Sequence, residues 1–225
     1  MAGRAFTYHL YPYSHRESED DFNLDNRLRW GALPKVEQLA TTEEKELYLR
    51  TYVTTYLKEE IAEEQIIRNL DPFRTFLDVA AQTSGQLINY SNIARDTGVS
   101  VKTVQSYFQI LEDTLLGTFI HPFHESVRKR MHTNPKFYLF DEGIRRALSR
   151  TLTLDVLPQT RPYGTAFEHF IINECIKLNH YGRKDFTFSY LRTYDDAELD
   201  LIIERPGRLR ALVEIKSKEQ VDERD

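Results

Sequence analysis

The sequence predicts an α+β chain, and three features of its patterning carry that prediction. Helical periodicity runs through residues 41–112 and places apolar residues three and four apart. Two short β-rich runs, Thr118–Phe123 and Lys136–Phe140, follow it. The last third then alternates with period two in Phe186–Arg192, Glu198–Glu204 and Arg210–Lys216, after one amphipathic helix. The expected organisation is an initial segment and linker (1–40), a helical and helix-turn-helix region with a wing (41–150), and a helix–sheet unit (151–225).

Composition bounds what such a chain can be. Hydrophobic residues make up 40% and aromatic ones 12%, too many for general disorder. No stretch reaches the roughly 18 apolar residues of a membrane helix, and MAGRAFTYHLYPYSHRESED contains no secretory apolar core. Cys175 is the single cysteine, which excludes an internal disulfide and reads as a small core residue on a helix. A cytoplasmic location is expected. The net charge of −5 does not mark a nucleic-acid binder, yet residues 127–150 carry a local balance of +5, able to hold phosphate.

Taken in order, the acidic run Glu17–Asp25 reads as exposed, and Gly31 and Pro34 in RWGALPKV mark a turn. Thr41 and Glu44 form a capping box for a helix expected to reach about Asn69, with Leu49, Tyr52, Val53, Tyr56 and Leu57 as its apolar stripe. Asp71-Pro72 then reads as an N-cap and first-turn proline of a helix that buries Phe73, Phe76, Leu77 and Ala80 and ends at Gly85.

The stretch YSNIARDTGVSVKTVQSYFQILE, residues 90–112, reads as a helix-turn-helix. Ala94 permits a close helix crossing, Gly98 suits a left-handed turn, and Val104 anchors the second helix, which Ser100 caps. Val104, Tyr107, Phe108 and Leu111 face inward; Lys102, Thr103, Gln105, Ser106 and Gln109 face outward, where a recognition helix meets a major groove. With the two strands flanking VRKRMH, the unit becomes a winged helix, and Arg128, Lys129 and Arg130 are its expected phosphate contacts. One lysine and no arginine on the outward face is poor for reading guanine, and winged helices also serve as protein contacts. His121 and His124 in HPFH read as packing histidines without a third metal partner.

In the last third, strict alternation puts Glu198 and Asp200 on one strand face, and Glu214 and Lys216 on one face of the next. Pro206-Gly207 turns one strand into the other. The hairpin brings Asp200, Glu214 and Lys216 together, with Glu168 approaching from the helix AFEHFIINECIKL. Such carboxylates can hold a hard divalent cation, which polarises a phosphodiester and acidifies bound water that the lysine orients. Asp200 and Glu214 are the expected metal ligands, Mg²⁺ the expected cofactor, and the fold nuclease-like.

Read whole, the chain resembles the C-terminal portion of prokaryotic AAA-superfamily ATPases, in which a domain of unknown function follows the ATPase domain. The resemblance rests on AGRAFTYHLYPYSHRE, GALPKV with LYLRTYVTTYLKEEI, INYSNIARDTGVSVKTVQSYFQILEDT, KFYLFDEGI, and FEHFIINE, ELDLII and VEIK. It implies that residues 1–40 are the end of the ATPase domain and its linker, and that the last three motifs form a PD-(D/E)xK nuclease-like core. Glu168, Asp200, Glu214 and Lys216 then correspond to its catalytic positions, in domains whose activity is often unestablished or lost. The expected function is a DNA-associated module with a vestigial Mg²⁺-dependent nuclease site. No G-x-x-x-x-G-K-[ST] and no Gly-Lys pair occurs, so this chain binds no ATP. Stopping nine residues after Lys216 suggests truncation, an open sheet edge and self-association. Double-stranded DNA is the expected partner and no membrane contact is expected. The alternatives are a non-catalytic protein-interaction or oligomerisation module and a winged-helix transcription regulator.

Overall fold

Most of the helices precede one mixed sheet and two interrupt it after its second strand, within the α+β class the sequence predicts. The computed structural model describes residues 8–56, 70–124, 134–192 and 197–218. Three short helices come first: α1 (His15–Ser18), α2 (Leu24–Trp30) and α3 (Pro34–Glu37). Their segment is no loose linker, because Leu28, Trp30, Leu33 and Val36 are all buried. In α4 (Thr42–Thr51) the expected capping box is present: the Thr41 hydroxyl accepts from the Glu44 N–H, and the Glu44 carboxylate accepts from the Thr41 N–H. The helix passes into a π-helical turn at Tyr52–Tyr56; its expected continuation to Asn69 lies outside the described residues. Chain already helical at Leu70 makes Asp71-Pro72 part of α5 (Leu70–Gln82) rather than its cap, while Phe73, Phe76, Leu77 and Ala80 are buried as expected.

Two helices and the tight turn between them form where the sequence put them. Gly98 closes α6 (Tyr90–Thr97) at φ +68°, a left-handed conformation that a side chain would strain. The Ser100 hydroxyl accepts from the Thr103 N–H and caps α7 (Val101–Asp113). Val104, Tyr107, Phe108 and Leu111 bury the inner face of α7.

The two strands beyond it, read as the wing, also join a larger sheet. β1 (Gly117–Pro122) and β2 (Lys136–Leu139) pair antiparallel, and then β1 pairs in parallel with β3 (Thr187–Arg192) through His121↔Ser189 and Pro122↔Tyr190. Antiparallel β4 (Glu198–Glu204) and β5 (Ala211–Val213) complete a five-stranded sheet of order β2-β1-β3-β4-β5. All four residues of β2 are buried, because period-two geometry sends them into two different cores. Phe137 and Leu139 join α4–α7 and α8 (Glu142–Leu148) in the helical core. Tyr138 packs on the other face with Ile120, Tyr190 and Leu201 against Ile172 and Ile176.

Those two isoleucines lie on α9 (Arg161–Gly182), which starts earlier than expected: Tyr163-Gly164-Thr165 is inside the helix, Thr160 caps it, and Pro162 sits in its first turn. Cys175 is half-buried against the sheet-side core, as a core reading requires, and burial pushes its thiol up. Buried charges of α9 also tie down the start of the chain. Glu174 accepts from the His15 N–H, and Lys177 donates to the Tyr13 carbonyl. The last strand is shorter than read: β5 ends at Val213, leaving Glu214 and Lys216 in the chain beyond it.

Candidate functional site

Glu168 is brought to the sheet by the sheet-side core, since α9 lays Ile172 and Ile176 onto Ile120, Tyr138 and Leu201. One helical turn before Ile172, the Glu168 carboxylate accepts a 2.6 Å hydrogen bond from the Tyr138 hydroxyl. Burial raises the Glu168 carboxyl, opposed by the Lys136 charge and the tyrosine. Burial and the adjacent carboxylate likewise push the Tyr138 phenol upward.

Asp200 reaches the same side by a route that simple alternation does not give. Ser189 pairs with Ile202 and Leu191 with Leu199, so Tyr190 alone stands opposite both Asp200 and Leu201. This β-bulge adds one residue to β4 and breaks its period. Leu201 and Ile203 stay in the core under α9, while Asp200 lies within the electrostatic reach of Glu168 and Lys136. The expected opposition of Glu198 and Asp200 to Leu201 is therefore corrected by the bulge. Glu198 pairs opposite Arg192 and meets Lys136 across the sheet.

The hairpin partner arrives through the backbone. Asp200 accepts a 2.7 Å hydrogen bond from the Ile215 N–H, which fixes the chain between Glu214 and Lys216. Those two side chains pair with each other at 2.5 Å. Burial raises the Asp200 carboxyl; the Ile215 N–H opposes this, and the nearby Glu214 adds to it. Past Lys216 the chain crosses the first turn of α9, where a Cβ on Gly164 would lie 3.6 Å from the Ser217 hydroxyl. Glu168, Asp200, Glu214 and Lys216 thus share one region of the molecule.

Sequence reasoning did not find the residue at its centre. Lys136 opens β2, is 4% exposed, and forms ion pairs with both Glu198 and Glu168, at 3.7 Å to the latter. It also lies 5.5 Å from the Tyr190 ring centroid, over its face. The one available signal was a lysine opening the apolar run KFYLF. Beside it is a polar cavity of about 450 Å³, lined by Arg161, Thr165, Glu168, His169, Arg192 and Glu198 among others. His169 is buried, with Nδ1 3.2 Å from both Glu142 and Asn173, and its Nε2 has no hydrogen-bond partner among the described residues.

Each carboxylate of the expected Mg²⁺ site has a protein partner. Asp200 is held by Ile215, Glu214 by Lys216, and Glu168 by Tyr138 and Lys136. Among the described residues, no group of three or more His, Cys, Asp or Glu side chains is arranged to hold a metal ion. His121 packs beside the Phe119 ring at 5.8 Å.

On the helix-turn-helix, Lys102, Gln105, Ser106 and Gln109 are exposed and Thr103 is half-buried, bonded to Ser100. Gln109 is turned toward Asp113 at 2.9 Å. Arg128, Lys129 and Arg130 lie outside the described residues. No helix among the described residues is long and apolar enough to cross a membrane.

Comparison with known proteins matches both parts of this architecture. Residues 163–225, which hold most of α9 and β3–β5, match a domain of unknown function, DUF4143. Uncharacterized proteins of Mycobacterium tuberculosis and Mycobacterium bovis are each 28% identical over 181 residues, 79% of this chain and 40% of theirs. An uncharacterized protein of Haemophilus influenzae is 24% identical over 162 residues, 65% of this chain and 40% of its own. The chain thus spans 40% of the length of these curated relatives. No solved structure matches it. Residues 21–155, from the acidic lead through α8, match a second domain of unknown function across more than half of the chain, which therefore belongs to the DUF8612 family.

Proposed function

We propose that this chain is a DNA-associated module from the C-terminal side of an AAA-type ATPase, carrying a helix-turn-helix on a nuclease-like sheet whose carboxylate site is vestigial. The ATPase context rests on the sequence resemblance and on the DUF4143 match, a domain of such C-terminal regions. The observation that carries DNA association is the first turn and a half of α7, where Lys102, Gln105 and Ser106 stand exposed behind a Ser100 cap. Free N–H groups at this helix end favour a phosphate, Lys102 adds a point charge, and Gln105 and Ser106 can bond base edges. Arg128, Lys129 and Arg130, between β1 and β2 in the sequence, supply further phosphate contacts.

Anisotropy of a labelled duplex across a salt series tests this. Replacing Arg128, Lys129 and Arg130 together by alanine lowers affinity and reduces the salt slope by about 2–3, since each phosphate contact contributes about 0.9. Lys102→Ala with Gln105→Ala weakens binding further. Affinity that ignores both salt and these substitutions eliminates the DNA reading.

A second reading, self-association through the β5 side of the sheet, has its own observation. Leu209 and Leu212 are 98% and 66% exposed. Leu209 borders a groove of about 680 Å³ lined also by Cys175, Leu178, Phe186 and Phe188. Sedimentation velocity then finds concentration-dependent association that Leu209→Ser with Leu212→Ser removes; a monomer at every concentration rules it out.

A further inference from the structure

We propose that Lys136 is the resident cation of the carboxylate site, its ammonium taking the place that a divalent metal takes in such a cluster. The inference deepens the reading of this site as vestigial and rests on it, while DNA association through α7 is independent.

Three observations combine. The Lys136 ammonium pairs with Glu198 and Glu168, and its field also reaches Asp200, so one charge serves the three carboxylates that converge here. It is held in position rather than tethered at the surface. Its backbone pairs with Ile120 on one side and bridges to Leu87 on the other, its side chain is 5% exposed, and the Tyr190 ring lies against it. Lastly, the other protein bonds take a single oxygen each, Oδ2 of Asp200 from the Ile215 N–H and Oε1 of Glu168 from the Tyr138 hydroxyl, so they hold the cluster in place without closing it to a cation.

The electrostatics explain why a cation is built in. Isolated ions are costly to bury, so the lysine is tolerable here only with its carboxylates, and they only with it. Deleting the ammonium leaves Glu168, Glu198 and Asp200 together without the cation that pairs with the first two, Lys216 still acting on Asp200. That is the oxygen-rich, anionic setting in which a hard divalent ion binds. The protein thereby exchanges a removable Lewis acid for a fixed charge that keeps the cluster assembled but cannot acidify water.

The test uses Mn²⁺ alone, followed by the loss of its free-ion electron paramagnetic resonance signal and by the melting temperature of the full chain. Wild type leaves the signal and the melt unchanged. Lys136→Ala and Lys136→Met, the second of which keeps the aliphatic stem, bind Mn²⁺ at least about tenfold more tightly and melt higher with it. Adding Glu168→Gln to either variant abolishes the gain. Wild type binding Mn²⁺ as tightly as the variants overturns the inference, and if it also cuts duplex DNA, the vestigial reading fails with it. Folded variants that gain no Mn²⁺ overturn the inference and leave that reading standing. Unfolded variants that Mn²⁺ does not restore overturn it as well.

Discussion

Phe108→Ala lowers the unfolding free energy by about 3–5 kcal/mol, the range for emptying a buried phenylalanine site. Its ring is 1% exposed and lies 4.8 Å from Phe76 of α5, 6.0 Å from Tyr90 of α6, and 6.0 and 5.0 Å from Phe119 and Phe137 of the hairpin. Four elements therefore meet on one side chain, and none can close the cavity without drawing the others from their own contacts. Edge-to-face geometry with Phe76, Tyr90 and Phe137 adds a directional term to the lost apolar area. Urea denaturation measures the effect, with Val101→Ala, an exposed position of the same helix, as a control that shifts stability by about 0.5 kcal/mol or less. A Phe108→Ala loss below about 1 kcal/mol would mean that the helix-turn-helix does not share a core with the sheet.

Acid weakens the fold through His169, by up to about 3 kcal/mol between pH 6.5 and about 4. Burial holds the imidazole down at about 4 against the ordinary 6.5, because desolvation outweighs the attraction of Glu142, itself paired bidentately with Arg145. Above pH 6.5 the ring is neutral in folded and unfolded chains, and the full stability is present. As the pH falls through this window the unfolded chain takes a proton that the folded chain refuses, so unfolding becomes easier. Glu168 and Asp200, whose carboxyls are raised by burial, act with the opposite sign and partly offset the loss. The measurement is therefore a difference: His169→Gln has a flatter stability profile than wild type across the window. Parallel profiles for the two proteins would show that His169 carries its proton in the fold.

What the sequence disclosed, and what it withheld, follows the range of the interactions involved. The Thr41 and Ser100 caps, the Gly98 turn and the buried stripe of α7 depend on neighbours within about four residues, and each formed where the spacing put it. Glu168, Asp200, Glu214 and Lys216 were legible as a group because their strands are joined by a Pro206-Gly207 turn and preceded by one helix. The bulge at Asp200 was not legible, since it exists only in the pairing of β4 with β3. Nor was the role of Lys136, which sits 32 residues ahead of Glu168 and 62 ahead of Glu198 and is buried only once β2 is packed on both faces. A strand covered on both sides looks, in sequence, like the edge of a wing. His169 was hidden for the same reason: its burial depends on α8 and α9 together, not on the residues around it.

The continuous sheet also bears on inheritance. The boundary between the two family-matched segments, at residues 155–163, runs through a single folded object. Severing the chain there would strip α9 from one face of β2 and leave His121 and Pro122 without the strand that completes their pairing. A gene rearrangement that carried either segment alone into a new setting would deliver a protein with an uncovered core. The pair is thus expected to travel through genomes as one unit, its two halves constrained to change in step wherever Lys136 and its carboxylates meet.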